Sequence, residues 1–402
     1  MAAITAAMTS GMAGLLALPA GQADALGSSP QPPVSVFAVV AGNEPAGVYT
    51  ELSSLAQFSR PALDMPAHVR HEAPGRYSVF FSGPDIGTAP TAGVHVRAVG
   101  GGNCMPFDGV TPSRHPGLQI DIVCFDTAGR PADHRFTLAY NAHGTTHGAL
   151  VSASTTSAPV SADWHVAAPQ EGGGTARVTY NHPAPGQYTF DLPYLSGAEP
   201  ESFAVTALAP LAQADTGAIS DVVCGTTART LAAGDTGPVR RVWMSCRDAV
   251  SGLPAPAATR VNISYVRGVN LAGASGVKEA YFTAPRTVAD IPVVLDDEAV
   301  HNPASGAVTL HRNGTGHYTV DIANQQSDIG YASLVATANG SAALCTASVP
   351  DQSLPGHVSV SCRDSVGFTD TGFQLHFVSQ RMSFRLPPLQ RAYCPACGVL
   401  EP

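Results

Sequence analysis

Three aspartates stand two places after a cysteine, in Cys124-Phe125-Asp126, Cys246-Arg247-Asp248 and Cys362-Arg363-Asp364. Carboxylates recurring in this way could serve a repeated cation site, but calcium takes six to eight oxygens and no acidic cluster adjoins any of them. A glycine follows each within a few residues, at Gly129, Gly252 and Gly367. The expected role is therefore an Asx turn closing a strand, with glycine supplying the positive φ of the bend.

His143 and His147 are four apart, and His68, His71, His311 and His317 gather near one recurring hairpin. In loops or strands residues four apart do not converge on one ion as they do on a helix, so these read as solvated histidines rather than metal ligands. No metal and no cofactor is expected. Cys394 and Cys397 make a Cys-Pro-Ala-Cys pair close to the last residue given. Without a preceding βαβ pattern, a local disulfide is favoured over a redox centre, with intermolecular pairing or half a zinc site as the other possibilities. The chain contains no Gly-x-Ser-x-Gly, no His-Glu-x-x-His and no phosphate loop, which lowers the expectation of an enzyme.

One residue suits recognition better than catalysis. On the strand leading to Cys246, alternation turns Val242, Met244 and Cys246 inward and Trp243 outward with Arg241. Small residues, Val123 and Ser361, are taken as its counterparts elsewhere. An outward tryptophan beside Arg240 and Arg241 is a candidate platform for a sugar or a protein; the competing reading packs it under a linker or a neighbouring unit.

The elements that must carry these residues come in a block of about 110 residues that occurs three times. The first copy runs Gly75-Arg76-Tyr77-Ser78-Val79, Val96-Arg97-Ala98, Cys104, Ile122-Val123-Cys124-Phe125-Asp126 and Phe136-Thr137-Leu138-Ala139-Tyr140. The second answers with Gly186-Gln187-Tyr188, Val205-Thr206-Ala207, Cys224, Cys246 and Val261-Asn262-Ile263-Ser264-Tyr265. The third has Gly316-His317-Tyr318, Ala336-Thr337-Ala338, Cys345, Cys362 and Phe373-Gln374-Leu375-His376-Phe377. Apolar residues alternate through these runs with the two-residue period of half-buried strands. Seven or so short strands per copy predict an all-β chain of three tandem immunoglobulin-like β-sandwich repeats, over 34–140, 148–265 and 279–377. The alternative is a β-propeller, which would need two blades in each copy.

With 40 Gly and 33 Pro there is little room for helices. The short connectors between copies permit some hinge motion but do not separate the units far. Repetition also pairs the cysteines, Cys104 with Cys124, Cys224 with Cys246 and Cys345 with Cys362, because three copies of one unit should solve one geometric problem in one way.

Residues 1–25 read as a signal peptide, with an apolar stretch from Met12 to Ala20 and small residues at Ala23-Asp24-Ala25. The stretch is too short to span a bilayer. A net charge of −9, with 13% charged residues, argues against nucleic acid or an anionic membrane as partner. After Phe377 the chain leaves the repeat for a tail, 378–402.

In its order of Gly-x-Tyr-x-Val/Phe, Cys, Cys-Phe/Arg-Asp-x-x-Gly and Phe-x-Leu-x-Tyr/Phe, the chain resembles uncharacterised repeat proteins exported by actinobacteria and some other soil bacteria, over nearly all of 34–377. The second copy departs from that pattern in lacking an aspartate three residues before Val261, which weakens any role for Asp133 and Asp370. The expected protein is a secreted monomer with a non-enzymatic extracellular binding or structural role toward another protein or a polysaccharide. The alternative is a hydrolase, or a hydrolase inhibitor, that works through loops on a β scaffold.

Overall fold

In the computed structural model the chain is described over 34–53, 56–60, 66–82, 92–107, 111–112, 117–142, 148–153, 163–166, 179–193, 200–210, 219–234, 237–256, 259–268, 277–286, 290–325, 332–349 and 357–380. The signal-like residues 1–25, the histidine pair His143 and His147, and the cysteine pair Cys394 and Cys397 lie outside these residues. Among them every regular element is a strand apart from a three-residue 3-10 turn at Asp297–Ala299. Among the described residues no closed barrel or propeller forms, which speaks against the propeller alternative.

The strands pair in one order three times. Gln57–Arg60, Val34–Val40, Phe136–Ala142 and Ala92–Ala98 lie side by side in that sequence. So do Asp163–Val166, Gly148–Ala153, Arg260–Arg267 and Glu201–Leu208, and then Val300–His301, Val277–Ala284, Gly372–Gln380 and Ala332–Asn339, the last joined by a parallel bridge from Asn339 to Thr226 into Val222–Gly234, so that this set forms half of an eight-stranded sheet. Facing each set is a second sheet built around the Gly-x-Tyr hairpin: His68–Ala73 with Arg76–Ser82, Thr179–Ala184 with Gln187–Pro193, and Val308–Gly314 with His317–Ile322. Each hairpin then pairs with the strand carrying the second cysteine.

Alternation decides what fills the space between facing sheets. Tyr77, Tyr188 and Tyr318 are each 1% exposed. They sit with Ile122, Met244 and Val360 opposite them across the pairing. In the first segment the core joins Val36, Val96 and Leu138 from one sheet to Tyr77, Ile120 and Cys124 from the other. The glycine of each Gly-x-Tyr turn, Gly75, Gly186 and Gly316, has φ near +70° (70, 67 and 69). A Cβ there would come within 2.5, 2.4 and 2.4 Å of the carbonyl oxygens of Cys124, Cys246 and Cys362. Only glycine allows both that φ and that approach.

Three disulfides join Cys104 to Cys124, Cys224 to Cys246 and Cys345 to Cys362. Each links directly opposed residues on adjacent antiparallel strands of one sheet. The N–H groups of Cys124, Cys246 and Cys362 turn instead to the carbonyls of Gly75, Gly186 and Gly316. The bridged pairs are therefore the non-hydrogen-bonded kind, which bring Cα atoms closest, here 4.0, 4.1 and 4.1 Å. Replacing Cys224 and Cys246 together by alanine is expected to cost about 3 kcal/mol, measured by urea unfolding. A loss under about 1 kcal/mol would show that the bridge adds little to a hairpin already held by its ladder.

The segments lie against one another, as connectors too short to separate them far would place them. Ala92–Ala98, Glu201–Leu208 and Ala332–Asn339, the strands that end each four-stranded order, all contact one another. Away from the single Thr226–Asn339 bridge, the outer rows of backbone groups on these strands have no ladder partner, and side chains from the neighbouring segments satisfy several of them. Thr137, Arg97 and Thr226 donate to the alternate carbonyls of Leu334, Ala336 and Ala338. The N–H groups of Phe203 and Val205 donate to Gln374 Oε1 and Thr337 Oγ1, at 2.7 and 3.1 Å. Asn262 donates to the carbonyl of Val94. Strands Asn103–Pro106 and Gly117–Phe125 are likewise covered on both faces, since Met105, Phe107, Val123 and Phe125 join the core of the second segment.

Candidate functional site

Trp243 lies on Gly237–Asp248, whose other face puts Val242, Met244 and Cys246 in the core at 1%, 1% and 0% exposure. It is half-buried, opposed by Thr189 on one side and, past a register shift, by Ala228 on the other. The neighbouring strand alternates in step, so Gln187, Thr189 and Asp191 share the outer face. Asp191 grips Arg241 in a two-point pair, Oδ1 to Nε at 2.6 Å and Oδ2 to Nη2 at 2.7 Å. That hydrogen bonding raises the Arg241 pKa further. With Asn181 and Pro183 these side chains line an open groove of about 590 Å³.

Arg240 is not part of this groove. One residue before Arg241, it falls on the opposite face, where its Nε lies 3.0 Å from Glu201 Oε2. Arg229 and Arg267 flank the same carboxylate at 3.6 and 3.8 Å. The counterparts assigned to Trp243 also need correction. Thr189 opposes Trp243 as Ser78 opposes Asp121 and Thr319 opposes Ser359, so Asp121 and Ser359 occupy the matching places. Val123 lies two residues further along that same outer face, where it is fully buried against the second segment.

The recurrent aspartates cap turns. Asp126 accepts from the N–H groups of Ala128 and Arg130, Asp248 from Val250 and Ser251, and Asp364 from Val366 and Gly367. Backbone and side-chain hydrogen bonds from Arg130 hold the Asp126 carboxyl below its usual pKa. The three turns gather together: a Cβ on Gly129 would meet Val250, one on Gly252 would meet Ser365, and Arg363 reaches the Thr127 carbonyl. Val250, Leu253, Val366 and Phe368 stand exposed on this end.

His71 is not merely solvated. Its ring stacks on Tyr77 at 5.0 Å and its Nε2 lies 3.0 Å from Asp133. Asp133 also accepts from Gly75 N–H at 2.6 Å and Tyr77 hydroxyl at 3.0 Å. Asp370 repeats the arrangement with Gly316, Tyr318 and a two-point pair from Arg312. Both aspartates thus clamp the Gly-x-Tyr turn, even though the second segment manages with the Thr259 carbonyl 3.5 Å from the Tyr188 hydroxyl. Burial, reinforced by Asp133, pushes the Tyr77 hydroxyl pKa up.

The polar junction between segments was not anticipated from the sequence. His95 and Arg97 are 0% and 5% exposed, and His376 is 2% exposed. His95 sits 3.0 Å from Thr206 Oγ1 and 2.6 Å from Ser264 Oγ. That is a serine–histidine pair at the distance a nucleophile and its base require, but Ser264 is itself 0% exposed and no substrate could reach it. Nearby, Asn103 donates to buried Asp221 at 2.7 Å. Burial pushes the Asp221 carboxyl up to about 6, against the pull of Asn103 and Arg363. The signal for all of this is present in the alternation of Val94-His95-Val96-Arg97 and Phe373-Gln374-Leu375-His376. A two-residue period separates two faces without saying what covers the second.

Among the described residues, no three His, Cys, Asp or Glu converge as a metal site, and no helix is long and apolar enough to cross a membrane. No protein-family model and no curated protein matches the chain. Its function therefore has to be argued from the outer groove, the exposed turns and the buried junction.

Proposed function

We propose that the chain is a secreted, monomeric, non-enzymatic binding protein made of three tandem immunoglobulin-like β-sandwich units, akin in its repeat pattern to the exported actinobacterial proteins it resembles. The contact is made on the outer face of the second unit by Trp243 with Arg241. Three features support the scaffold part of this reading: the thrice-repeated strand order, the disulfides suited to an oxidising compartment and the cross-segment hydrogen bonds. The disulfides differ from those of antibody domains in pinning one sheet rather than joining two.

The observation that carries the binding site is the placement of Trp243. It is a large aromatic on an outer sheet face that lines an open groove, beside an arginine already oriented by Asp191. Tryptophan and arginine are the residues most enriched among interface hot spots. Immobilising the full chain and passing culture medium and cell-wall fractions over it should retain a saturable component. Retention of nothing from either fraction would contradict the proposal.

The exposed turns support a second reading, an inhibitor of a secreted hydrolase. Val366 and Phe368, at 95% and 54% exposure, would then enter a partner's cleft. In that case Val366→Asp abolishes capture while Trp243→Ala leaves it intact.

A further inference from the structure

We propose that the groove at Trp243 recognises an uncharged polysaccharide, an inference that rests on this face being the binding surface. Sugars offer two chemistries at once, a C–H face that packs on an aromatic ring and a rim of hydroxyls that need directional partners. The groove supplies both. Trp243 provides the apolar ring, while Thr189, Gln187, Asn181 and Asp191 provide a hydroxyl, two amides and a carboxylate along the same face.

The charge in the groove is already paired. Arg241 and Asp191 hold each other through two hydrogen bonds, leaving no net charge to attract an ionic ligand. A carboxylate has about four acceptor positions and a guanidinium five donors, so each keeps hydrogen-bonding capacity beyond the pair. Because the pair fixes both groups, little side-chain freedom is lost on binding. The groove volume of about 590 Å³ falls within the range of small-ligand sites, and its open course along paired strands suits a chain-like molecule better than an enclosed one.

The other two segments provide an internal comparison. At the place of Trp243 they carry Asp121 and Ser359, neither of which offers a ring. Asp121 is further engaged with Ser78 and Gln119, at 2.6 and 2.9 Å. One site per chain is therefore expected.

The test is native affinity electrophoresis of the full chain in gels containing hydroxyethylcellulose, xylan or galactomannan, with carboxymethylcellulose as the charged comparison. The expected result is retardation in at least one neutral gel. It should weaken at least tenfold in Trp243→Ala, weaken severalfold in Asn181→Ala and largely persist in Trp243→Tyr, which keeps a stacking ring. Mobility unchanged in every neutral gel, or retardation in carboxymethylcellulose alone, overturns the inference. If cell-wall capture still depends on Trp243 in that event, the binding face stands and only its ligand class falls. Equal retardation of Trp243→Ala and the parent chain overturns both.

Discussion

Between pH 7.5 and 5 the His376→Leu variant is expected to lose about 2 kcal/mol less stability than the parent chain. His376 is buried, with neither ring nitrogen hydrogen-bonded, and burial lowers its pKa to about 3. An unfolded histidine titrates near 6.5. Its contribution is therefore intact above pH 6.5 and is lost as the pH falls toward 3, because the unfolded chain takes up a proton that the native one refuses. His95 acts in the same direction, its pKa lowered by burial and by the charge of Arg97. Asp221 acts in the opposite direction. Its raised pKa of about 6 makes the native state the better proton acceptor between about 4 and 6, so acidification there returns about 1.4 kcal/mol at most by pH 5. Leucine should also be tolerated at neutral pH, since it leaves no unsatisfied nitrogen behind. Urea unfolding of both proteins across this range measures the difference. Parallel pH profiles would mean that His376 is protonated in the native state.

Arg97→Ala is expected to destabilise the chain by about 3 to 5 kcal/mol, and Arg97→Met by much less. Arg97 has no carboxylate partner among the described residues; it is held by neutral acceptors. It donates to the Val96 and Ala336 carbonyls at 3.0 and 3.2 Å, to Thr206 Oγ1 at 3.2 Å and to the Val205 carbonyl. One side chain thus ties the first segment to the other two. Burial depresses its pKa to about 10, so it stays charged at neutral pH in a place that disfavours charge. Truncation opens a cavity and strips two end-strand carbonyls of their donor. Methionine refills the volume and removes the cost of burying a charge. Calorimetric or urea unfolding decides the matter; a loss under about 1 kcal/mol for Arg97→Ala would mean the junction does not depend on this contact.

The parts of this fold that were legible in the sequence are those that repeat. Tyr77, Tyr188 and Tyr318, and the three cysteine pairs, recur because each obeys constraints local to one sheet: a glycine turn that admits no Cβ and a cross-strand pair that brings Cα atoms together. The junction was illegible because its chemistry is not repeated. Arg97, Thr337 and Gln374 solve different parts of one problem, the outer backbone groups of Glu201–Leu208 and Ala332–Asn339, and each looks like an ordinary solvent-facing residue when its strand is read alone. Asp133 and Asp370 were undervalued for a related reason. Their absence from the second segment signals that one turn is closed differently, not that the other two clamps are idle. At the candidate site, alternation placed Trp243 and Arg241 correctly, whereas adjacency in sequence wrongly added Arg240. The cross-strand register, which sequence spacing did not supply, is what identifies Asp121 and Ser359 as the matching positions.

The central claim is tested most directly by measuring capture from the cell-wall or culture-medium fraction by the parent chain and by Trp243→Ala, with thermal unfolding recorded on the same samples. The expected result is a loss of about 2 kcal/mol in binding, roughly thirtyfold in affinity, with an unchanged unfolding midpoint. A lowered midpoint with capture intact would make Trp243 a packing residue and would contradict the account.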